Sequence, residues 1–162
     1  VIHEVSGDIL LSNANVVAHG VSPNDDFHQG LALALREKWP AMYKDFRHYE
    51  KTQSPESGGI WAWMGADGKV IVNLFTQAAA ASAGGRPGPA SVKYVGHALK
   101  ALGQLAAAEK WSSLALPRLA TGVGGLDWND VKPLVQQHLG SLATQVYVYT
   151  TYHAGVAAKE AA

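Results

Sequence analysis

The sequence has no cysteine. That excludes disulfides, thiolate metal sites and a cysteine nucleophile, and it fits a reducing compartment. It has no surplus of one charge either: Lys+Arg and Asp+Glu number 13 each among 162 residues, giving a net charge of zero. A dedicated nucleic-acid binder usually carries a basic excess, so the composition argues against that class. A local basic patch stays compatible with it. No apolar run reaches membrane-spanning length, and the N-terminus lacks the basic-then-apolar form of a secretory leader. The expectation is a soluble, cytoplasmic, monomeric chain with no membrane association. The sequence starts at Val1 rather than Met, so a longer parent protein stays open. What is present is material for a core. Hydrophobic residues make up 48% and charged residues 16%, a balance that suits one folded domain.

Periodicity divides the chain into alternating elements. Residues 1–5 read as a strand closed by Gly7-Asp8, and residues 15–21, with Val16-Val17-Ala18, as a buried second strand. The polar stretch 22–29 reads as a loop. Leu31, Ala32, Leu35 and Trp39 recur at helical spacing up to Pro40, and a second helix carries Met42, Phe46 and Tyr49. Residues 58–64 and 69–75 flank Ala66-Asp67-Gly68 and read as a hairpin. Residues 76–90, rich in Ala, Gly and Pro, read as an exposed, flexible loop. Ser91 is a candidate cap for a helix with Val92, Val95, Leu99, Leu102 and Leu105 on one face. Residues 113–116 form a short apolar strand, and 117–126 a glycine-bearing loop. Asp127 or Asn129 caps a helix carrying Val131, Leu134, Val135 and Leu139. Residues 144–150 are a last strand, alternating Val146 and Val148 with Tyr147 and Tyr149. Residues 154–162 read as a frayed tail beyond a domain over 1–153. Alternating strands and helices with one hairpin predict an α/β fold, a three-layer α/β/α sandwich with a mixed central sheet.

In such sheets ligands bind beyond the carboxyl ends of the strands. Four loops hold that position: 6–10, 19–31, 75–90 and 117–128. Gly122, Gly124 and Gly125 lie between a strand and a helix, where glycine lets backbone N–H groups approach an anion and the helix start adds its positive end. A diphosphate is the natural occupant; on spacing alone, a turn with no ligand stands equally open. The segment has neither a P-loop's Gly-Lys-Ser/Thr nor the spacing of a dinucleotide fingerprint. Asp8 ends the first strand, where its carboxylate suits an exocyclic amine or simply a solvent-facing turn. His19 ends the second strand, and Asp25, Asp26 and His28 follow in the same loop. A carboxylate beside an imidazole makes a general base, and an Asp pair also suits a plain surface turn. No second His at ligand spacing supports a metal.

Together these segments resemble the macrodomain family. The resemblance rests on Gly7-Asp8-Ile9-Leu10, then Ala18-His19-Gly20-Val21 with Gly30-Leu31-Ala32-Leu33, then Asn73-Leu74-Phe75-Thr76. It ends on Leu116-Pro117-Arg118-Leu119 through Gly122-Val123-Gly124-Gly125-Leu126-Asp127-Trp128. It covers nearly the whole chain and is similar above all to the branch of DNA and terminal ADP-ribosyl glycohydrolases and ADP-ribose-1″-phosphate phosphatases.

The resemblance implies that the chain binds ADP-ribose and hydrolyses a derivative at the distal ribose, without cofactor or metal. The partners it implies are ADP-ribose or an ADP-ribosylated molecule, with nucleic acid only in ADP-ribosylated form. Asp8 would then hold the adenine amine with Ile9 beside it, and Tyr149 or Tyr152 would pack near the base. Thr121, Gly122, Val123, Gly124, Gly125 and Leu126 would wrap the diphosphate. Gly20, Val21, Gly30 and Leu31 would line the distal ribose, with Phe75 and Thr76 across from them. His19, Asp25, Asp26, His28 and Gln77 are the catalytic candidates. The glycohydrolases of this branch place a Lys directly after the Thr of the third segment; here that position is Gln77, which is neutral. Some members carry an acid where this chain has Gly124, and the loop before Gly30 is usually glycine-rich, whereas here it reads Asp26-Phe27-His28-Gln29. Phe75-Thr76-Gln77 followed by small residues looks more like the phosphatases, so removal of a 1″-phosphate is the first expectation and cleavage of an ADP-ribosyl bond the next. A non-catalytic ADP-ribose reader is the alternative.

Overall fold

Strict side-chain alternation along each strand sorts the core into two halves. In the computed structural model, which describes residues 1–82 and 84–160, the strands are β1 (Ile2–Gly7), β2 (Val16–Val21), β3 (Ile60–Met64), β4 (Val70–Phe75), β5 (Ser113–Pro117) and β6 (Gln145–Tyr152). The helices are α1 (Gly30–Lys38), α2 (Pro40–Gln53), α3 (Val92–Glu109) and α4 (Trp128–Leu139). They make one mixed sheet of order β1-β6-β5-β2-β4-β3. Every neighbouring pair is parallel except β3 with β4, the hairpin expected around Ala66-Asp67-Gly68.

Val16, Ala18, Val72, Leu74, Leu114, Leu116, Val146 and Val148 pack with Val95, Leu99 and Leu102 of α3 and Val131, Val135 and Leu139 of α4. The intervening Val17, Val21, Ile71, Phe75, Ala115, Tyr147 and Tyr149 pack with Leu35 of α1 and Met42 and Phe46 of α2. Successive side chains on a strand point to opposite faces, so one sequence feeds both layers. This is the expected α/β/α sandwich. His19 and Asn73 share the parity of the α1/α2 layer and stand opposite each other in the β2–β4 register.

The helix signals resolve cleanly. Ser91 caps α3 by accepting from the Tyr94 N–H at 3.1 Å. Asp127, rather than Asn129, caps α4, accepting from the Asn129 N–H at 2.8 Å. Pro40 opens α2 at a position where its missing N–H costs nothing. The ends of the loop over 76–90 are tied together, with Gln77 bridged to Ala90 and the Ala78 N–H donating to the Pro89 carbonyl at 2.9 Å. That loop is thus anchored at both ends; Ala83 within it lies outside the described residues.

Gly103 sets the approach of α3 to α4: a Cβ there would lie 2.6 Å from the His138 carbonyl oxygen. Alanine gains about 1 kcal/mol of helix propensity over glycine. Overpacking against backbone costs about 1–3 kcal/mol and wins. Gly103→Ala is expected to lower the melting temperature by a few degrees, read by thermal unfolding; an unchanged or higher value refutes the close approach.

The tail does not fray over its described residues; Ala161 and Ala162 lie outside them. The His153 N–H donates to the Gly7 carbonyl at 3.1 Å, and the Asp8 N–H donates to the Val156 carbonyl at 2.7 Å. Gly7 permits this because a Cβ there would lie 2.8 Å from the Ala158 nitrogen and the Val156 oxygen. Glu160 then accepts from Ser12 Oγ at 2.6 Å and the Asn13 N–H at 3.0 Å. These partners are distant in sequence, and no local pattern announces them.

Candidate functional site

Two cavities meet at the carboxyl ends of the parallel strands. They share Gly30, Leu31 and Pro117. The first, about 430 Å³, is mostly apolar and is bounded by Asp8, Ile9, Leu10, Ala34, Tyr149 and Tyr152. The second, about 250 Å³, is the more polar of the two, with His19, Gly20, Val21, Asp25, His28 and Gln77 on one side and Arg118 and Gly122-Val123-Gly124 on the other. The loops chosen from the sequence therefore converge on one elongated cleft.

Asp8 is buried at the apolar end. Its Oδ1 accepts from the Leu10 N–H at 3.0 Å, capping a 3-10 turn over Ile9–Leu11, and its Oδ2 accepts from the Gly155 N–H at 3.0 Å. Each oxygen keeps a lone pair for a donor in the cavity. Tyr149 donates its hydroxyl to Glu160 at 2.6 Å, and burial together with that carboxylate pushes the phenol pKa up.

The middle of the cleft is rich in unpaired N–H groups. In the loop after β5, Ala120 takes φ +61° and Gly125 φ +79°. The turn closes with Gly125 N–H to the Gly122 carbonyl at 3.1 Å and Leu126 N–H to the Ala120 carbonyl at 2.9 Å. The N–H groups of Gly122, Val123 and Gly124 have no partner among the described residues. Opposite them, α1 begins without a side-chain cap, and its first residues line the cleft. The sequence pointed to the start of α4 as the positive helix end. That end is satisfied by its own Asp127, and it is α1 that presents free N–H groups here.

The polar end is built on β2 and β4. His19 is 2% exposed, and its Nε2 donates to Asn73 Oδ1 at 2.6 Å. Asn73 in turn turns its amide nitrogen to the Trp61 carbonyl at 3.4 Å, which fixes the oxygen toward the histidine. His19 Nδ1 is left as the basic atom. Burial lowers the His19 pKa to about 4, against the opposing pull of the Asn73 hydrogen bond and the Asp25 charge, so the ring is neutral near pH 7. Phe27, buried at φ +55°, sets its ring edge-on to His19 at 5.5 Å between centroids and anchors the loop.

The other sequence candidates divide. Asp25 borders the polar cavity, but its carboxylate is tied to backbone, accepting from the Phe27 N–H at 2.9 Å and the Ser22 N–H at 3.1 Å. Asp26 stands outside the lining and pairs with His28, which is exposed at the mouth. Gln77 is buried and gives its amide to the Gly88 carbonyl at 3.1 Å. Phe75 and Thr76 are buried behind the site rather than in its wall, with Thr76 Oγ1 packed against Gly20. Thr121, Gly125 and Leu126 shape the glycine loop and are not in the lining of either of these two cavities. The sequence reading missed Arg118 as a wall, although it lies within the segment that carried the resemblance; it placed Gly30 and Leu31 at the ligand but not as the start of an uncapped helix. No group of three metal-ligating side chains occurs among the described residues.

The fold is that of the macrodomains among solved structures. No family model matches the chain. Among solved structures it is similar to the macrodomain of Thermus aquaticus DarG, with 26% identity and a TM-score of 0.81 over 93% of this chain and 98% of that one. It is similar in fold to the macrodomain of Mycobacterium tuberculosis DarG, at 24% identity and TM-score 0.81, over 93% and 99%. Thermosipho africanus DarTG in complex with ADP-ribose matches with TM-score 0.81 at 21% identity, over 94% of this chain and 42% of that one. A curated Thermosipho africanus protein, a DNA ADP-ribosyl transferase–DNA ADP-ribosyl glycohydrolase fusion, is 25% identical over 157 residues. The chain spans 40% of the length of that fusion. No helix among the described residues is long and apolar enough to cross a membrane.

Proposed function

We propose that the chain binds ADP-ribose along the joined cleft and hydrolyses a bond at the distal ribose. The supporting observation is the order of chemistries in one cleft. A buried carboxylate and two tyrosines stand at the apolar end, unpaired N–H groups in the middle, and a neutral histidine at the polar end. That order suits a nucleobase with an exocyclic amine, a diphosphate and a reacting sugar. The likeness to the Thermus aquaticus DarG macrodomain and to the glycohydrolase fusion favours an ADP-ribosyl bond, on nucleic acid or protein, over a 1″-phosphate.

His19 is the group we assign to the reaction. Water attacks C1″ and gives its proton to Nδ1, the bond from C1″ to the leaving oxygen or nitrogen breaks, and the imidazolium returns the proton to that atom. The ring's low pKa makes Nδ1 a weak base in the first transfer and its imidazolium a strong acid in the return step. The Asp26–His28 pair at the mouth is the second candidate for holding the water. Gln77, neutral and tied to Gly88, has an orienting role only.

The second reading, an ADP-ribose reader without turnover, is favoured by Gln77 in place of a Lys and by the tied carboxylate of Asp25. Incubation with ADP-ribosylated DNA, ADP-ribosylated protein and ADP-ribose-1″-phosphate separates the readings. Release of ADP-ribose from one of them is expected. Binding with no release from any of the three leaves the reader. Asp8→Ala is expected to weaken ADP-ribose by about 10- to 100-fold in calorimetry, the loss of a charge-assisted hydrogen bond. Wild-type affinity in that variant counts against adenine at this end of the cleft.

A further inference from the structure

The tail's contacts are concentrated on two residues of the apolar cavity. The Gly155 N–H holds Asp8 Oδ2, and Glu160 holds the Tyr149 hydroxyl. Both held residues line that cavity, whereas no tail residue does. Glu160 is itself fixed from the other side by Ser12 Oγ and the Asn13 N–H, and Ala158 packs on the α1/α2 core. The carboxylate of Asp8 is thereby held at both oxygens, one by its own turn and one by the tail. A group held at two points has lost its rotational freedom before a ligand arrives, so binding need not order it.

We propose that residues 153–160 are the positioning element of the base subsite, with Glu160 as its latch and selectivity for a 6-amino purine as its product. The inference rests on the ADP-ribose reading above. The chemistry of selection is simple. A pinned carboxylate accepts from a 6-amino group and repels a 6-oxo group, which offers only lone pairs. A carboxylate free to rotate turns away from the oxo group and tolerates it. Glu160 acts through Tyr149 and the fold of the tail, and touches no ligand itself.

The test compares ADP-ribose with its hypoxanthine counterpart by calorimetry, in wild type, Glu160→Gln, Tyr149→Phe and the double variant, with melting temperatures measured on each. In wild type the amino form is expected to bind tighter. In Glu160→Gln the ratio of the two affinities is expected to fall about tenfold, the weight of one charge-assisted hydrogen bond. The double variant is expected to lose less than the sum of the two single losses, because the single variants share the Tyr149–Glu160 hydrogen bond. A merely structural tail predicts a different result: both nucleotides weaken by one factor and the ratio stays at its wild-type value. That outcome overturns the inference and leaves the ADP-ribose reading standing. Wild type that binds neither nucleotide removes the ADP-ribose reading, and the base subsite with it.

Discussion

Gly124→Val is expected to weaken ADP-ribose on the order of 100-fold, about the weight of one strong hydrogen bond to a charged group. Gly124 is buried where the glycine loop crosses the end of the 76–90 segment. A Cβ there would lie 2.7 Å from the Ala120 carbonyl oxygen and 2.8 Å from the Ala90 Cβ. Neither neighbour is the far end of a flexible side chain, so the backbone must move. The Ala90 N–H to Gly124 carbonyl bond, 3.2 Å, is the first contact to open. The unpaired N–H groups of Gly122, Val123 and Gly124 then lose their common arrangement, and with it the diphosphate's preorganised donors. Overpacking costs about 1–3 kcal/mol of stability, too little to unfold a typical domain. Gly122→Ala is the matched control, since a Cβ there meets nothing within 4 Å. Calorimetry on both variants checks the argument. Equal affinity in Gly124→Val and Gly122→Ala would show that the loop does not hold the ligand.

How much of this was legible in the sequence depends on the range of the interaction that decides each feature. The layer architecture was legible because side-chain parity is local: Val146 and Val148 against Tyr147 and Tyr149 face opposite layers in the structure as they do in the pattern. The caps at Ser91 and Asp127 were legible for the same reason, each reaching a partner two or three residues on. The convergence of the four loops followed from their common place beyond the carboxyl ends of the strands. Three features escaped. Asp25 looked available, but its carboxylate is spent on its own loop, and composition does not say whether an Asp faces backbone or ligand. The free helix end belongs to α1 because Gln29 provides no cap, whereas α4 is capped by Asp127. The tail's docking depends on contacts such as Gly155 to Asp8, 147 residues apart, and small-residue composition suggested only fraying. Long-range hydrogen bonds between irregular segments leave no period to read.

Acidification gives the second large effect. Between pH 7 and pH 4 the protein is expected to lose about 3 kcal/mol of stability through His19 alone. The folded pKa is lowered from 6.5 to about 4 by burial. The unfolded chain therefore binds a proton as pH falls through 6.5, while the folded chain does not until about 4. Stability from this group is complete above 6.5, declines by about 1.4 kcal/mol per pH unit within the window, and reaches its floor near 4. Glu and Asp titrations overlap the lower part, so the window from 6.5 to 5 carries the clearest signal. His19→Gln isolates it: the amide still offers a donor to Asn73 Oδ1 but binds no proton. Its neutral-pH stability is set by packing against Phe27, and its slope between pH 6.5 and 5 is expected to be shallower by the His19 share. Urea unfolding at stepped pH measures both slopes. Parallel curves for wild type and His19→Gln would mean that the ring titrates near its solution value. The desolvation that lowers the His19 pKa would then lose its support, while the ring's place in the cleft and its hydrogen bond to Asn73 would stand.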